Sequence, residues 1–310
     1  MDADENASMK NVEPTTTVLT NDMAEAIAMF ELRCSVRSCP ETLEFMGNCL
    51  RCTAGHNFDR AKEGYWNLTQ PQDKKSLNPG DADEAVLARH RWLQRGHAAG
   101  LIEALKGLAC DDSNPALNPR VLDLGCGEGS FGPSLFPENA EGYCGIDLSR
   151  RAIKLAARNW PSATWVLANA DRGLPVADAS VHKVISLFGR RPVSEIGRVL
   201  SADGVCIIAI PGEEDLIELR EQVQQAGHRR SRWELVVEEM KAVGLKLVLH
   251  TKWSQQVDLN AEEIADALAM TYRAVRNSQH ARLDGVDGMN VTLAADLLLF
   301  HREVETPAEA

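Results

Sequence analysis

The chain has 310 residues, 44% hydrophobic and 25% charged, with 33 Lys and Arg against 45 Asp and Glu for a net charge of −12. That composition belongs to an ordinary globular protein, and the length leaves room for one large core plus a smaller module. No apolar run reaches the roughly 18 residues of a membrane span. The first thirty residues lack the basic and apolar regions of a secretory signal, and eight cysteines are too dilute for a disulfide scaffold, so a cytoplasmic protein with reduced thiols and no membrane partner is expected.

Residues 1–30 are polar, carry Lys10 against six acids, and read as a disordered tail. Residues 31–68 hold four of the cysteines and are too short to build a core of their own. Residues 69–110 open as a loop with the turn chemistry of Pro71, Asn78, Pro79 and Gly80. They continue as a helix over 82–108, broken near Gly96 and Gly100, with Asp81 as its N-cap. A second linker covers 111–119. From Arg120 onward, short apolar runs (Val121–Leu124, Tyr143–Ile146, Thr164–Leu167, Val181–Leu187, Val205–Ile210, Leu245–His250) alternate with helical stretches over 150–159, 193–200, 215–225, 231–243 and 261–270. This predicts βαβ units and an α/β domain over 111–310 built on a buried parallel sheet, with the last apolar run, Val291–His301, added as an edge strand. Residues 31–99 carry ten Lys and Arg against nine acids, which leaves −8 on residues 100–310. An acidic protein repels polyanions on average, so a polyanion contact is expected near the N-terminus.

The run Val121 to Gly129 is a strand leading into a glycine-rich turn, Gly125-Cys126-Gly127-Glu128-Gly129. Glycines there allow a tight turn and close approach of a ligand to the main chain. The G-x-G-x-G spacing differs from the G-x-G-x-x-G of dinucleotide sites, and Asp123 stands two residues before the first glycine. About twenty residues on, Gly145-Ile146-Asp147 ends the next strand with an acid placed to grip ribose hydroxyls. The third strand ends at Asn169-Ala170-Asp171. Ligands of open α/β sheets bind outside the carboxyl ends of the strands, where these three loops converge. Taken singly, each acid is equally well a cap or turn residue, and a nicotinamide or flavin dehydrogenase is the competing reading.

A second constellation is Cys34-Ser35-Val36-Arg37-Ser38-Cys39 followed by Cys49-Leu50-Arg51-Cys52-Thr53-Ala54-Gly55-His56. Two pairs of soft or borderline ligands on short turns suit a tetrahedral zinc site, whose closed shell supplies folding energy that so short a segment lacks. Spacing alone leaves Cys49 competing with His56 for the fourth position, and leaves free thiols or a Cys49/Cys52 redox pair as alternatives.

The glycine loop and its acids resemble the S-adenosylmethionine-dependent methyltransferase superfamily over roughly residues 105–301. The resemblance implies a Rossmann-like domain with a mostly parallel seven-stranded sheet. In it Gly125, Gly127 and Gly129 admit the methionine part of the cofactor and Asp147 takes the ribose hydroxyls. Ala170 and Asp171 meet the adenine, and Asp123 orients the glycine loop or binds the amine; Glu128 is counted with this set. The run Gly55-His56-Asn57-Phe58-Asp59-Arg60-Ala61-Lys62-Glu63-Gly64-Tyr65-Trp66-Asn67-Leu68, with Asn78-Pro79-Gly80-Asp81 after it, closely resembles the bacterial 23S rRNA (guanine-N1)-methyltransferases. That family joins an N-terminal zinc ribbon, here 31–68, to the methyltransferase domain, methylates a guanine in an rRNA hairpin, and often dimerises. Its pattern selects Cys34, Cys39, Cys52 and His56 as zinc ligands. This chain departs from it at Ala98, where the family has tyrosine, and at Asp215, where it has histidine. Phe188-Gly189-Arg190-Arg191-Pro192 also lacks the family's alanine-proline pair.

Guanine N1 is protonated at neutral pH, so its methylation requires loss of that proton; His97, Asp215 and Glu128 are the candidates for a general base within hydrogen-bond reach, the alternative being catalysis that rests mainly on holding base and methyl in line. Arg51, Arg60, Lys62, Lys74 and Lys75, with Tyr65 and Trp66 among them, read as an RNA-contacting face, the alternative for the two rings being a small core under the ribbon. The competing functions are a methyltransferase of small molecules or proteins and a non-catalytic RNA-binding protein.

Overall fold

The computed structural model describes residues 30–71, 80–109, 119–224, 232–271 and 286–302. The expected tail, Lys74, Lys75 and most of the second linker lie outside them. The chain begins with a three-stranded antiparallel sheet of β1 (Glu44–Phe45), β2 (Cys49–Arg51) and β3 (Asn57–Asp59). After β4 (Trp66–Asn67) come the helices α1 (Asp83–Gln94) and α2 (Ala99–Ala109). Gly96, at φ +82°, makes the expected break between them. Asp81 is not the cap: Ala82 holds that position, and the Asp81 carboxylate accepts from Arg89 at 3.0 Å instead.

The strand–helix alternation then builds β5 (Val121–Leu124), α3 (Phe131–Leu135), β6 (Tyr143–Asp147), α4 (Arg150–Asn159), β7 (Thr164–Leu167), β8 (Val181–Leu187), α5 (Val193–Val199) and β9 (Leu200–Pro211). Strands β5 and β7 are buried at every residue, as parallel strands covered on both faces must be. Ser149 starts α4 by accepting from the Ala152 N–H, and Ala152, Ile153, Ala156 and Ala157 form the buried face of that helix. The chain ends through α6 (Ile217–Gln224), α7 (Trp233–Lys241), β10 (Leu245–Asn260), α8 (Ala261–Thr271) and β11 (Gly288–Arg302).

The main sheet runs β10-β11-β9-β8-β5-β6-β7-β4, with parallel pairing from β9 to β4 and antiparallel pairing of β11 with both of its neighbours. Two expectations are corrected. The sheet has eight strands, not seven, because Trp66 and Asn67 pair with Val166 and Leu167. The final apolar run is also not an edge: β11 lies between β9 and β10, and its double-sided burial explains its largely apolar sequence, in which the buried Asp296 meets His250 at 2.7 Å. The edge is β10, whose second half turns only Trp253, Val257 and Leu259 inward among exposed polar residues and therefore carries no continuous apolar run to read.

The cysteine-rich segment does not stand apart. Leu32, Leu50, Phe58, Trp66 and Leu68 are buried in the same core as Ile146, Val166 and Val176 of the large domain. Main-chain bonds from Arg33 N–H to the Pro175 carbonyl and from Ala177 N–H to the Glu31 carbonyl fasten the two together.

Candidate active site and metal centre

Four ligand atoms, from Cys34, Cys39, Cys52 and His56, lie within 4.8 Å of one another. His56 Nδ1 is 3.4 Å from Cys34 Sγ and 3.3 Å from Cys52 Sγ, and Cys39 Sγ is 4.0 Å from Cys52 Sγ. Tetrahedral zinc with bonds of about 2.3 Å to sulfur and 2.0 Å to nitrogen needs ligand separations of roughly 3.5–3.8 Å, so this donor set fits the ion. Cys49 stands outside the cluster, its sulfur turned toward the Met46 carbonyl. Burial opposes ionisation of the Cys52 thiol, but hydrogen bonds from His56 and the Ala54 amide outweigh it and bring it to about 7. Cys34 is pushed up by burial to about 12. Zinc would displace the thiol protons, its positive charge holding the three sulfurs as thiolates.

At the carboxyl edge of the sheet a cavity of about 730 Å³ is walled by the loops after β5, β6, β7 and β8. Asp123, Gly125, Gly127, Glu128, Asp147, Ala170 and Asp171 all line it. The Asp147 carboxylate accepts from the Gly127 N–H at 2.9 Å and the Ser149 N–H at 2.7 Å, which fixes the glycine turn and leaves lone pairs for hydroxyl donors. Burial raises its pKa, while these amides and Arg89 oppose the rise. Asp123 is buried against the Tyr143 hydroxyl, and burial lifts it to about 7. Asp171 is exposed and paired with Arg190 at 2.8 Å.

Glu128 is 2% exposed; one oxygen meets His90 Nδ1 at 3.2 Å and the other, Oε1, is buried without a partner. An orphaned buried acceptor calls for a donor, and the methionine ammonium is one. The space around Gly127 is open, the nearest atom to an added Cβ being Arg89 at 3.9 Å. Arg89, paired with Asp81, also lines the cavity and offers a cation to a carboxylate there. These residues suit S-adenosylmethionine. Gly129 is the exception in the expected set. It is not among the lining residues, and an added Cβ would stand 2.7 Å from Trp165 and 2.8 Å from Ala156, so its small size serves packing under the sheet.

A second cavity, about 620 Å³, adjoins the first and shares Arg89, Leu93, Phe131 and Phe188 with it. His97 and Asp215 both line it. His97 stacks on Trp92 at 4.3 Å and meets Glu263 at 3.0 Å. Asp215 accepts from the Ala294 N–H at 3.0 Å; burial raises it to about 6, against that amide and Arg220. Helix α8 is held over this cavity by Asp266, which binds both Arg91 and Arg95.

The expected RNA face divides. Tyr65 and Trp66 are each 2% exposed and belong to the core, so neither ring is free to stack on a base. Arg60 lies over the Trp66 ring, 5.6 Å from its centroid. Arg51 and Lys62 are exposed. Four further arginines are exposed: Arg150 and Arg151 in the first turn of α4, after β6, Arg172 after β7 and Arg190 after β8, the last two lining the first cavity. Sequence reading passed over them because they are scattered along the chain and meet only through sheet order. Arg89 and Phe131 were missed for the same reason.

Residues 33–77 match the family described as "RlmA, N-terminal", a zinc ribbon, and residues 121–204 match the family described as "Methyltransferase domain". The 23S rRNA (guanine(748)-N(1))-methyltransferase of Streptomyces fradiae is 33% identical over 190 residues, 61% of this chain and 66% of that protein. Proteins of Micromonospora griseorubida (32% over 184 residues, 55% of this chain and 61% of theirs) and Bacillus subtilis strain 168 (31% over 191 residues, 60% and 66%) bear the name 23S rRNA (guanine-N(1)-)-methyltransferase in provisional form. The matched stretches thus span 61–66% of these relatives. With its cysteine-rich segment and its glycine loop each matched on their own residues, the chain joins an RlmA-type zinc ribbon to a methyltransferase domain.

Proposed function

We propose that the protein methylates N1 of a guanine in a hairpin of 23S rRNA, in the cytoplasm, with S-adenosylmethionine as donor and structural zinc in the ribbon. One observation carries the reading: in a chain with an RlmA-type ribbon, the cavity fitted to the donor adjoins a second one large enough for a base. The donor supplies an electrophilic methyl group. Asp123, Gly125, Gly127, Glu128, Asp147, Ala170 and Asp171 hold it, with Arg89 added to that set, while Asp215 takes the N1 proton at its buried carboxylate. An acid near 6 is ionised at neutral pH yet more basic than an ordinary carboxylate, which suits a general base. The guanine must leave its stack to enter. The exposed arginines that follow β6, β7 and β8, with Arg51 and Lys62 of the ribbon, would meet the phosphates. The reading includes a homodimer formed through the open edge of β10, where Val248 and Leu249 are exposed.

The test is transfer of labelled methyl to 23S rRNA from a strain lacking the modification, with the product mapped by a primer-extension stop. Asp215→Asn should lower kcat by roughly 10²–10⁴ and remove its pH dependence near 6. Labelling of a small molecule or protein with none of the RNA would refute the proposal, and light scattering giving a monomer would remove the dimer.

A further inference from the structure

Phe188 combines three features that packing does not explain together. Its backbone is left-handed, at φ +61°, a conformation costly for a bulky side chain. Its ring is 44% exposed, one of five large hydrophobic side chains so exposed among the described residues. It also forms part of the wall common to the donor cavity and the second cavity.

The turn itself has a structural reason. Phe188 N–H still bonds the Ala209 carbonyl at 2.8 Å, so β8 is paired up to this point. The next residue must then pass close over the glycine loop: an added Cβ at Gly189 would stand 2.9 Å from the Leu124 carbonyl, and one at Gly125 would stand 3.4 Å from Gly189 Cα. A left-handed residue brings the chain there, and glycine or asparagine would do so at less cost. Folding therefore asks for the turn but not for a phenylalanine in it. The ring is extra, and it stands where a base drawn toward the donor must pass.

We infer that Phe188 is the platform on which the extruded target base stacks, and that its strained backbone is retained to present the ring at the junction of the two cavities. This rests on the functional reading above and adds a positioning residue to it. A stacked ring orients a planar base without reading its edge, which leaves recognition of guanine to groups such as Asp215. Phe131, at the start of α3, lines both cavities as well and gives the junction a second aromatic wall.

Three variants test this: Phe188→Ala, Phe188→Tyr and Phe188→Gly. Each is measured for S-adenosylhomocysteine affinity by calorimetry, for methylation of unmodified 23S rRNA, and for melting temperature. Phe188→Ala should hold S-adenosylhomocysteine within about twofold of the wild type yet lose roughly 5- to 150-fold in kcat/KM for RNA, the worth of one stacked base. Phe188→Tyr should keep most of the activity, because the ring remains. Phe188→Gly should melt no lower than the wild type, since the strain is relieved, while being as inactive as the alanine variant. Wild-type turnover by Phe188→Ala would overturn the inference, as would an equal loss in Phe188→Tyr or a parallel loss of S-adenosylhomocysteine affinity. A wild-type protein that binds S-adenosylhomocysteine but methylates no RNA would overturn the functional reading and this inference with it.

Discussion

Replacing Gly129 by alanine separates two reasons for a glycine in the same turn. The new Cβ would stand 2.7 Å from Trp165 and 2.8 Å from Ala156, both side-chain contacts, with the Ala156 backbone 3.1 Å away. Trp165 is wedged among Tyr143 and Trp160 and cannot retreat. Overpacking of this kind costs about 1–3 kcal/mol, and an alanine held at φ +83° adds about 1–2 kcal/mol. The sum, roughly 2–5 kcal/mol, lowers the melting temperature by about 4–20 °C for a domain of this size. Gly127→Ala meets no atom closer than 3.9 Å and bears only the backbone cost at φ +57°, but its methyl group enters the donor cavity. Thermal melts and calorimetry with S-adenosylhomocysteine should therefore show Gly129→Ala the less stable of the two but near normal in affinity once folded, and Gly127→Ala less destabilised but weak in binding. A Gly129→Ala protein that melts like the wild type and fails to bind would refute the argument and return Gly129 to the donor site.

Three further outcomes are expected. Purified protein should carry one zinc by metal analysis, and His56→Ala should release it and expose residues 34–68 to protease, whereas Cys49→Ser should keep it; loss of zinc on Cys49→Ser alone would reassign the fourth ligand. Asp123 sits at about 7 when folded against an ordinary 3.8, so the folded state binds the extra proton between those values and stability falls as pH rises from about 4 to 7. Asp123→Asn should remove that slope and gain on the order of 4 kcal/mol over the wild type at pH 8, and identical pH profiles in the two proteins would refute the assignment. Replacing Arg150 and Arg151 together by alanine should weaken rRNA hairpin binding and shallow the plot of log affinity against log salt by roughly 0.7–0.9 per lost phosphate contact, leaving S-adenosylhomocysteine binding intact; an unchanged slope would place the RNA elsewhere.

What the sequence made legible is what local pattern dictates. The glycine turn with its acid twenty residues on led to Asp147 and Gly127, and both line one cavity. The spacing of Cys52 and His56 in a Gly-His-Asn-Phe-Asp context, once the family likeness was drawn, led to four ligand atoms that meet. What stayed hidden depends on distant partners. Gly129 reads like its neighbours until Trp165 and Ala156 are placed beneath it. Trp66 reads like a stacking residue until β4 joins the sheet beside β7 and buries it. The second half of β10 gives no clear periodic signal because the exposed Gln255 interrupts the alternation of Trp253, Val257 and Leu259.

Charge follows the same division between what is counted and what is placed. A net −12 opposes RNA at long range, yet several of the acids lie inside. Asp266 is paired with Arg91 and Arg95, Asp123 accepts from the Tyr143 hydroxyl, and one oxygen of Glu128 meets His90. Exposed arginines follow three of the parallel strands instead, and Arg172 and Arg190 among them line the cavity. Under the proposed reading phosphates would meet these cations, while the interior presents carboxylates. Glu128 and Asp147 in the cavity wall would attract a charged sulfonium more than the neutral thioether left after transfer. The carboxylates that repel a polyanion in bulk would therefore hold the charged donor more firmly than the spent one, a difference that would favour exchange after each turnover.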